Sequence, residues 1–391
     1  MNALNRRIAV VQAAYNSMTC VSVVYFVQAF QRFGFDKTQI GIITMLTSII
    51  AASMQPVWGF LCDRTKKIKE IIAGCVVAGG ALYFTLIFFS GGNVFLVTLC
   101  AMGVYATFHP MMHLIDSWVA KLIAEGADIN YGATRSGGSI AYAIVAACFG
   151  VLVTRFGMKI APFAYALLCS ILCIAIAGIP NPGRTVQSTR KVSVGQALGY
   201  LLHNRAYLVF AAAYFLNWLS SSPTGTFYSV VIFEMGGNEE LVGYGLFIMA
   251  MCELPLMIGF NRVRARLKWK TGYILAFSML AYSLKAFLIG IAPNTVCVLL
   301  AGALQGLSFA VFLPASVAYL MEHVDREYLS TGQMLATAVG GSLSGMIASP
   351  IAGSVADAIG TQPMLCFFSI FSLLGALLMV GLELTNRKKA A

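Results

Sequence analysis

Twelve apolar runs of about 20 residues divide this chain, and little lies between them from which a water-facing surface could be made. They fall near residues 8–31, 38–61, 70–90, 93–122, 134–154, 160–179, 206–233, 241–260, 270–291, 294–320, 328–355 and 361–384. A run of that length crosses a ~30 Å hydrocarbon core as a helix. In lipid the backbone must bond within its own segment, so each run is expected to be helical. The expected fold class is an all-α membrane protein of twelve transmembrane helices in two six-helix halves. Composition excludes a soluble alternative: 59% of residues are hydrophobic and 10% charged, against about 25% charged in a soluble domain.

Lys and Arg set the expected orientation. One set of loops holds Arg6 and Arg7, the cluster from Arg64 to Lys69, Lys121, the stretch from Arg184 to Arg205, the cluster from Arg262 to Lys270, Arg326 and the run Arg387–Lys389. The opposite set holds only Arg32, Lys37, Arg155 and Lys159. The positive-inside rule then places both termini in the cytoplasm, in a multi-pass protein of the plasma (cell inner) membrane. The net charge of +11 is therefore read as a topology signal and not as a nucleic-acid footprint. The ten cysteines lie in spans or at their ends without a CxxC pair, and read as packing residues. No small-residue cleavage site follows the first apolar run, which is read as the first span.

The longest loop separates six spans from six. The expected organisation is an N-terminal bundle over 1–180, a cytoplasmic linker over 181–205 and a C-terminal bundle over 206–391. A short amphipathic surface helix is expected from Ser193 to His203. The halves echo each other: GFLCDRTKKIK ends the second span and GFNRVRARLKWK the eighth, while GATRSGGSIAYA and AVGGSLSGM open the fifth and eleventh to close helix contact. Weak repeats of this kind accompany secondary transporters, which bind at the repeat interface.

Four charged groups sit inside spans: Asp116 and Arg135 in the first half, Glu253 and Lys285 in the second. An intramembrane charge costs roughly 2.5–3.5 kcal/mol on insertion scales, so a retained one marks a pathway or a pair. The natural pairs are Asp116 with Arg135 and Glu253 with Lys285; two purely structural ion pairs are the alternative. A carboxyl group shielded from water favours its neutral form, which makes Glu253 the main candidate proton carrier, with Asp116 beside it. Gln12, Tyr15, Asn16, Gln28, Asn217, Trp218, Gln305 and Gln333 stud the apolar runs and suit a hydrogen-bonding solute. His109, His113 and Asp116 share one helical stripe. They read as a polar cavity wall or proton relay, or as satisfied interior histidines, and no second cluster supports a metal. His203 and His323 read as solvated loop residues. Ser220–Pro223 is expected to unwind the seventh span. No phosphate-cradling loop and no nucleophile constellation is present, so neither ATP, a cofactor nor an enzymatic reaction is expected.

GFLCDR, with Gly59, Asp63 and Arg64, resembles the cytoplasmic G-x-x-x-D-R signature of the major facilitator superfamily. Lys66 stands where the family pattern has a second glycine. The resemblance implies alternating access by two halves, with these residues as a cytoplasmic gate. DSWVAKLIAEGADINYGATRSGGSIAY (116–142) is similar to the span four to five region of the lactose permease, nucleoside and phenylpropionate proton symporter branch, matching at Asp116, Tyr131, Gly132, Arg135, Gly138, Ser139 and Ile140. GYGLFIMAMCELP resembles the eighth span of that branch at Glu253. Lys285 falls where lactose permease has an arginine, and Tyr142 where it stacks a ring on sugar. Gln305 and Ser308 stand where it has a histidine and a glutamate, so coupling falls to Asp116 and Glu253. The resemblance implies a monomeric proton symporter, driven by the proton gradient, for a small polar or amphipathic solute such as a sugar, nucleoside or aromatic acid. Asp116, His113, Tyr142, Arg135, Asn217, Glu253, Gln305, Tyr15 and Asn16 are the expected substrate contacts. Proton-driven efflux and a non-transporting receptor on the same fold are the alternatives.

Overall fold

The computed structural model describes residues 3–129, 131–181, 194–325 and 327–390. Arg184, Arg190 and Lys191 of the expected linker, together with Arg326, lie outside the described residues. Among the described residues, eleven helices are long and apolar enough to cross a membrane. Spans one to six are Ala3–Arg32, Lys37–Thr65, Ile68–Phe89, Val94–Ala124, Gly137–Phe156 and Met158–Ala177. Spans eight to twelve are Glu239–Phe260, Thr271–Gly290, Thr295–His323, Thr331–Ile359 and Thr361–Asn386. The seventh is Arg205–Glu234, whose 30 residues reach far enough at ~1.5 Å per residue. It is less apolar because Asn217, Ser220, Ser221, Ser222 and Thr224 crowd its middle. The chain divides into two compact units, Met1–Ser188 with Gly237–Phe247, and Thr189–Gly236 with Ile248–Ala391. The first turns of span eight thus group with the first unit.

Span seven is continuous through Pro223, which corrects the expected unwinding. Proline there lacks the N–H that would bond Leu219 O, and the helix accommodates that one missing bond; Thr224 Oγ1 adds a bond to the neighbouring carbonyl, Ser220 O, at 2.8 Å. The breaks fall elsewhere. Span four is two helices, Val94–Thr107 and Met111–Ala124, joined over residues 108–110. Span ten is two helices, Thr295–Gly302 and Gln305–His323. Span one carries a π-turn at Cys20–Val24. Buried hydroxyls reach carbonyls at two of these irregularities. Tyr83 donates to Val21 O at 3.0 Å, and Tyr15 to Phe108 O at 3.0 Å and His109 O at 3.2 Å.

The same turn chemistry recurs where spans two and eight end. Span two stops at Lys66 with φ 58°, and Lys268, just past the helix Glu239–Leu267, has φ 51°. Both take the left-handed conformation that suits glycine, and Lys66 is the position where the family pattern has one. Each unit is tied at these span ends in a parallel way. Asp63 pairs with Lys121 at 2.7 Å between spans two and four; Arg264 pairs with Glu322 between spans eight and ten, with the signs exchanged. Asn181, after span six, donates to Glu70 Oε2 of span three at 3.0 Å. Lys270, before span nine, lies 3.6 Å from Glu383 of span twelve.

The surface helix forms as Val194–His203. It buries Ala197 and Leu201 and stacks Tyr200 on Tyr328 at 4.4 Å. Asn204 then caps span seven by accepting from Tyr207 N at 3.1 Å. His203 is exposed as expected. His323 is not a solvated loop residue: it closes the second helix of span ten and stacks on Tyr319 at 4.1 Å. All ten cysteines are free thiols.

Candidate functional site

Each unit carries its own polar cluster in the middle of its spans. In the first unit, spans one, four and five build it. Gly138 permits the approach: a Cβ there would stand 2.7 Å from Asn16 Nδ2 and 3.1 Å from Gln12 O. Arg135, one turn earlier on the helix Tyr131–Phe156 that carries span five, is half-buried. The buried Gln12 donates through Nε2 to Asp116 Oδ1 at 3.1 Å, and Asn16 donates to Gln12 O at 2.7 Å. Tyr15 stacks on Phe108 at 4.7 Å, close enough to Asp116 and Arg135 for both to act on it electrostatically. Gln12 Oε1 is buried without a partner among the described residues. His113 is exposed, and His109 stacks on Tyr105 at 5.5 Å. Tyr142 is half-buried and packs on the unit's core.

In the second unit, spans seven to twelve contribute. Lys285, 5% exposed, donates to Gln305 Oε1 and lies 5.1 Å over the Tyr282 ring, a cation–π arrangement. Gln305 also faces the half-buried Glu253, on which Lys285 acts electrostatically. Gly306 makes this possible, because a Cβ there would stand 2.4 Å from Cys252 O of span eight. Tyr282 meets Phe312 edge-on at 5.8 Å, and Phe312 tilts against Tyr214 at 5.0 Å. Gly340 of span eleven leaves room for Tyr214, whose Cδ1 would lie 2.0 Å from an added Cβ. Asn217 accepts from Ser372 Oγ at 3.0 Å. Its Nδ2 and Ser220 Oγ are buried without partners among the described residues, while the Tyr282 hydroxyl faces Ser221 and Trp218 faces Tyr214. Buried donors left this way are costly and equip a wall for a hydrogen-bonding guest. Ser308 is buried and turns its hydroxyl to Gln305 O at 3.3 Å; Gln333 is exposed.

Two expected pairings are corrected. Neither Asp116 with Arg135 nor Glu253 with Lys285 is an ion pair in this structure; a glutamine, Gln12 or Gln305, takes the contact instead. An amide offers both a donor and an acceptor, so it can serve either protonation state of its acid. Among the described residues, no group of three or more His, Cys, Asp or Glu is placed to hold a metal ion. At the span-two turn, Asp63 is engaged by Lys121, while Arg64 is exposed and Gly59 half-buried. The aromatic wall of Tyr214, Tyr282 and Phe312 was missed from sequence. The available signal was the Tyr282-to-Lys285 spacing, one helical turn.

Two six-span repeats, with polar clusters and interrupted helices at mid-span, define a secondary membrane transporter. The chain matches the MFS_1 like family over residues 12–378 and belongs to it: this is a major facilitator transporter, not an enzyme. It is 26% identical over 353 residues to the uncharacterized transporter YwbF of Bacillus subtilis (strain 168), covering 89% of this chain and 84% of the relative. It is 24% identical over 360 residues to the maltose permease of Geobacillus stearothermophilus, covering 90% and 87%. In fold it is similar to the crystal structure of the nucleoside transporter NupG, with a TM-score of 0.81 at 16% identity over 97% of this chain and 99% of that one. A POT family transporter crystallised with a thioalcohol-conjugated peptide superposes with a TM-score of 0.69 at 13% identity, over 98% and 96%.

Proposed function

We propose that this transporter is a proton symporter that imports a small hydrogen-bonding solute, of the sugar, nucleoside or aromatic-acid class, by alternating access of its two six-helix halves (1–180 and 206–391). The observation that carries the reading is that an amide stands at an intramembrane charge of each half: Gln12 donates to Asp116, and Gln305 accepts from Lys285. An acid held by an amide can gain or lose a proton without stranding a bare cation. Glu253 is the main carrier, because Lys285 stands ready on the far side of Gln305 to take the contact when the proton leaves. Asp116 shares the task, with Arg135 in the same role. The unpartnered groups on Asn217 and Ser220, with Trp218, Tyr282, Tyr15, Asn16, His113 and Tyr142, supply the solute contacts. The names of two relatives, a maltose permease and a nucleoside transporter, support a polyhydroxylated solute. Gly59, Asp63 and Arg64 form the cytoplasmic gate, both termini face the cytoplasm, and the monomer is the working unit in the plasma membrane.

The test is uptake into proteoliposomes under an inward proton gradient, with maltose, nucleosides and aromatic acids as labelled solutes. Glu253→Gln is expected to lose gradient-driven accumulation while keeping solute exchange at equal pH. Accumulation by Glu253→Gln at the wild-type level would overturn the reading. Proton uptake in the opposite sense on solute addition would reassign the protein to efflux, and binding without counterflow to a receptor.

A further inference from the structure

The helix of span eight runs on to Leu267, so only three residues, Lys268, Trp269 and Lys270, join it to span nine, and they border a cavity of about 500 Å³ within the second unit. Arg264, Lys268, Trp269, Lys270, Glu322 and Glu383 line it. Its two carboxylates are both engaged. Glu322 accepts from Arg264 and, at 2.8 Å, from Thr271 Oγ1. Glu383 is buried with Lys270 at 3.6 Å. The Lys268 ammonium has no acceptor among the described residues, and Lys268 sits in a left-handed turn (φ 51°) that brings it to the cavity lip. Arg262 and Arg266 are exposed on the last turns of span eight, and residues 262–270 hold five basic side chains without an acid. Pocket and approach therefore carry uncompensated positive charge. Trp269, 50% exposed, is the aromatic side chain of the lining, and just outside the cavity it meets Phe277 edge-on at 6.4 Å. A tryptophan at a span end marks the headgroup level of the bilayer.

We propose that this cavity binds a phosphate-bearing anion, with Lys268 as the principal charge contact and Trp269 against the apolar remainder of the ligand. Basic pockets between spans at the membrane surface recognise phospholipid headgroups in this way. The mixed lining of cations beside exposed aromatic surface favours a phospholipid over free phosphate. The site is separate from the Glu253, Gln305 and Lys285 cluster and does not depend on what that cluster transports.

The test uses the full chain in detergent, examined by native mass spectrometry with phosphatidylglycerol, phosphatidylcholine or glycerol 3-phosphate added. Phosphatidylglycerol is expected to be retained in preference to phosphatidylcholine. Lys268→Gln is expected to weaken that retention about fivefold, the weight of one basic side chain at an anionic surface. Arg6→Gln, which removes an exposed charge far along the chain, is expected to leave it unchanged, and unfolding temperatures of both variants establish that they are folded. Equal retention of the two lipids by the wild type, or retention of phosphatidylglycerol by Lys268→Gln at the wild-type level, overturns the proposal. Glycerol 3-phosphate binding that Lys268→Gln removes supports the phosphate site and identifies the free anion as a second source.

Discussion

Gly306→Ala perturbs the contact on which the second unit's polar cluster depends. An added Cβ would stand 2.4 Å from Cys252 O and 2.9 Å from Cys252 C. Both are backbone atoms of span eight, so neither can rotate away. A carbon–oxygen contact needs roughly 3.3 Å, and relief therefore requires spans eight and ten to part by about 0.9 Å. Gln305 is the neighbouring residue, so the same displacement draws its amide away from Glu253. Overpacking by one methyl costs about 1–3 kcal/mol, and rigid backbone on both sides places this case in the upper part of that range. Gly302→Ala, on the same span, is the matched control: its Cβ would first meet Met249 Cε at 3.0 Å, the movable end of a flexible side chain. Gly302 closes the first helix of span ten and Gly306 lies in the first turn of the second, so neither gains the full helix propensity of about 1 kcal/mol. In thermal unfolding of the detergent-solubilised protein, Gly306→Ala is expected to melt several degrees below Gly302→Ala. A misplacement of that size is also expected to lower coupled uptake by about 100-fold. If the two variants melt together and accumulate solute equally, the close approach of spans eight and ten is not what positions Gln305, and the reasoning fails.

Other outcomes follow from single contacts. Arg32→Ala strands Glu239, 4% exposed, at the start of span eight. The expected loss lies between the ~1 kcal/mol of an exposed pair and the about 3 kcal/mol of a buried one; a double-mutant cycle with Glu239→Gln measures it, and a coupling near zero refutes it. Tyr15→Phe keeps the stack on Phe108 but removes the hydroxyl shared by the Phe108 and His109 carbonyls. A drop of about 1–3 kcal/mol in unfolding free energy is expected, and none would show that water replaces the hydroxyl. Lys66→Gly relieves a left-handed residue and is expected to raise stability by about 1 kcal/mol; a lower melting temperature would contradict this. Asp63→Asn removes an exposed ion pair with Lys121, and a change in stability below about 1 kcal/mol is expected. A larger loss would mean that Asp63 holds more than this partner.

Much of the fold was legible because a bilayer imposes one rule on every span: length and apolarity suffice to predict a helix. Span seven, the least apolar, meets the length requirement but is not among the eleven helices that are apolar enough as well. The intramembrane charges were legible for the same reason, since a costly group stands out in an apolar run. Their partners were not. Opposite charges in neighbouring spans invited direct pairs, Asp116 with Arg135 and Glu253 with Lys285, and the structure gives each contact to a glutamine. That choice depends on how closely helices approach, which Gly138 and Gly306 set through atoms of other spans. The interruptions were misjudged as well. Ser220–Pro223 looked like a break, yet the helix runs through it, whereas one joint falls at 108–110, where Pro110 was the overlooked signal, and the other at 303–304.

The order of apolar and basic segments by itself determined that this chain is a two-half, twelve-span membrane protein, because transfer into lipid is a local property of each segment, summed residue by residue. Tertiary structure alone decided which neutral side chain stands between each acid and its nearest base. It also decided which buried donors remain unpartnered, and where a basic turn folds over a cavity. Those outcomes rest on distances of a few tenths of an ångström between segments far apart in the chain, and no local pattern encodes such distances.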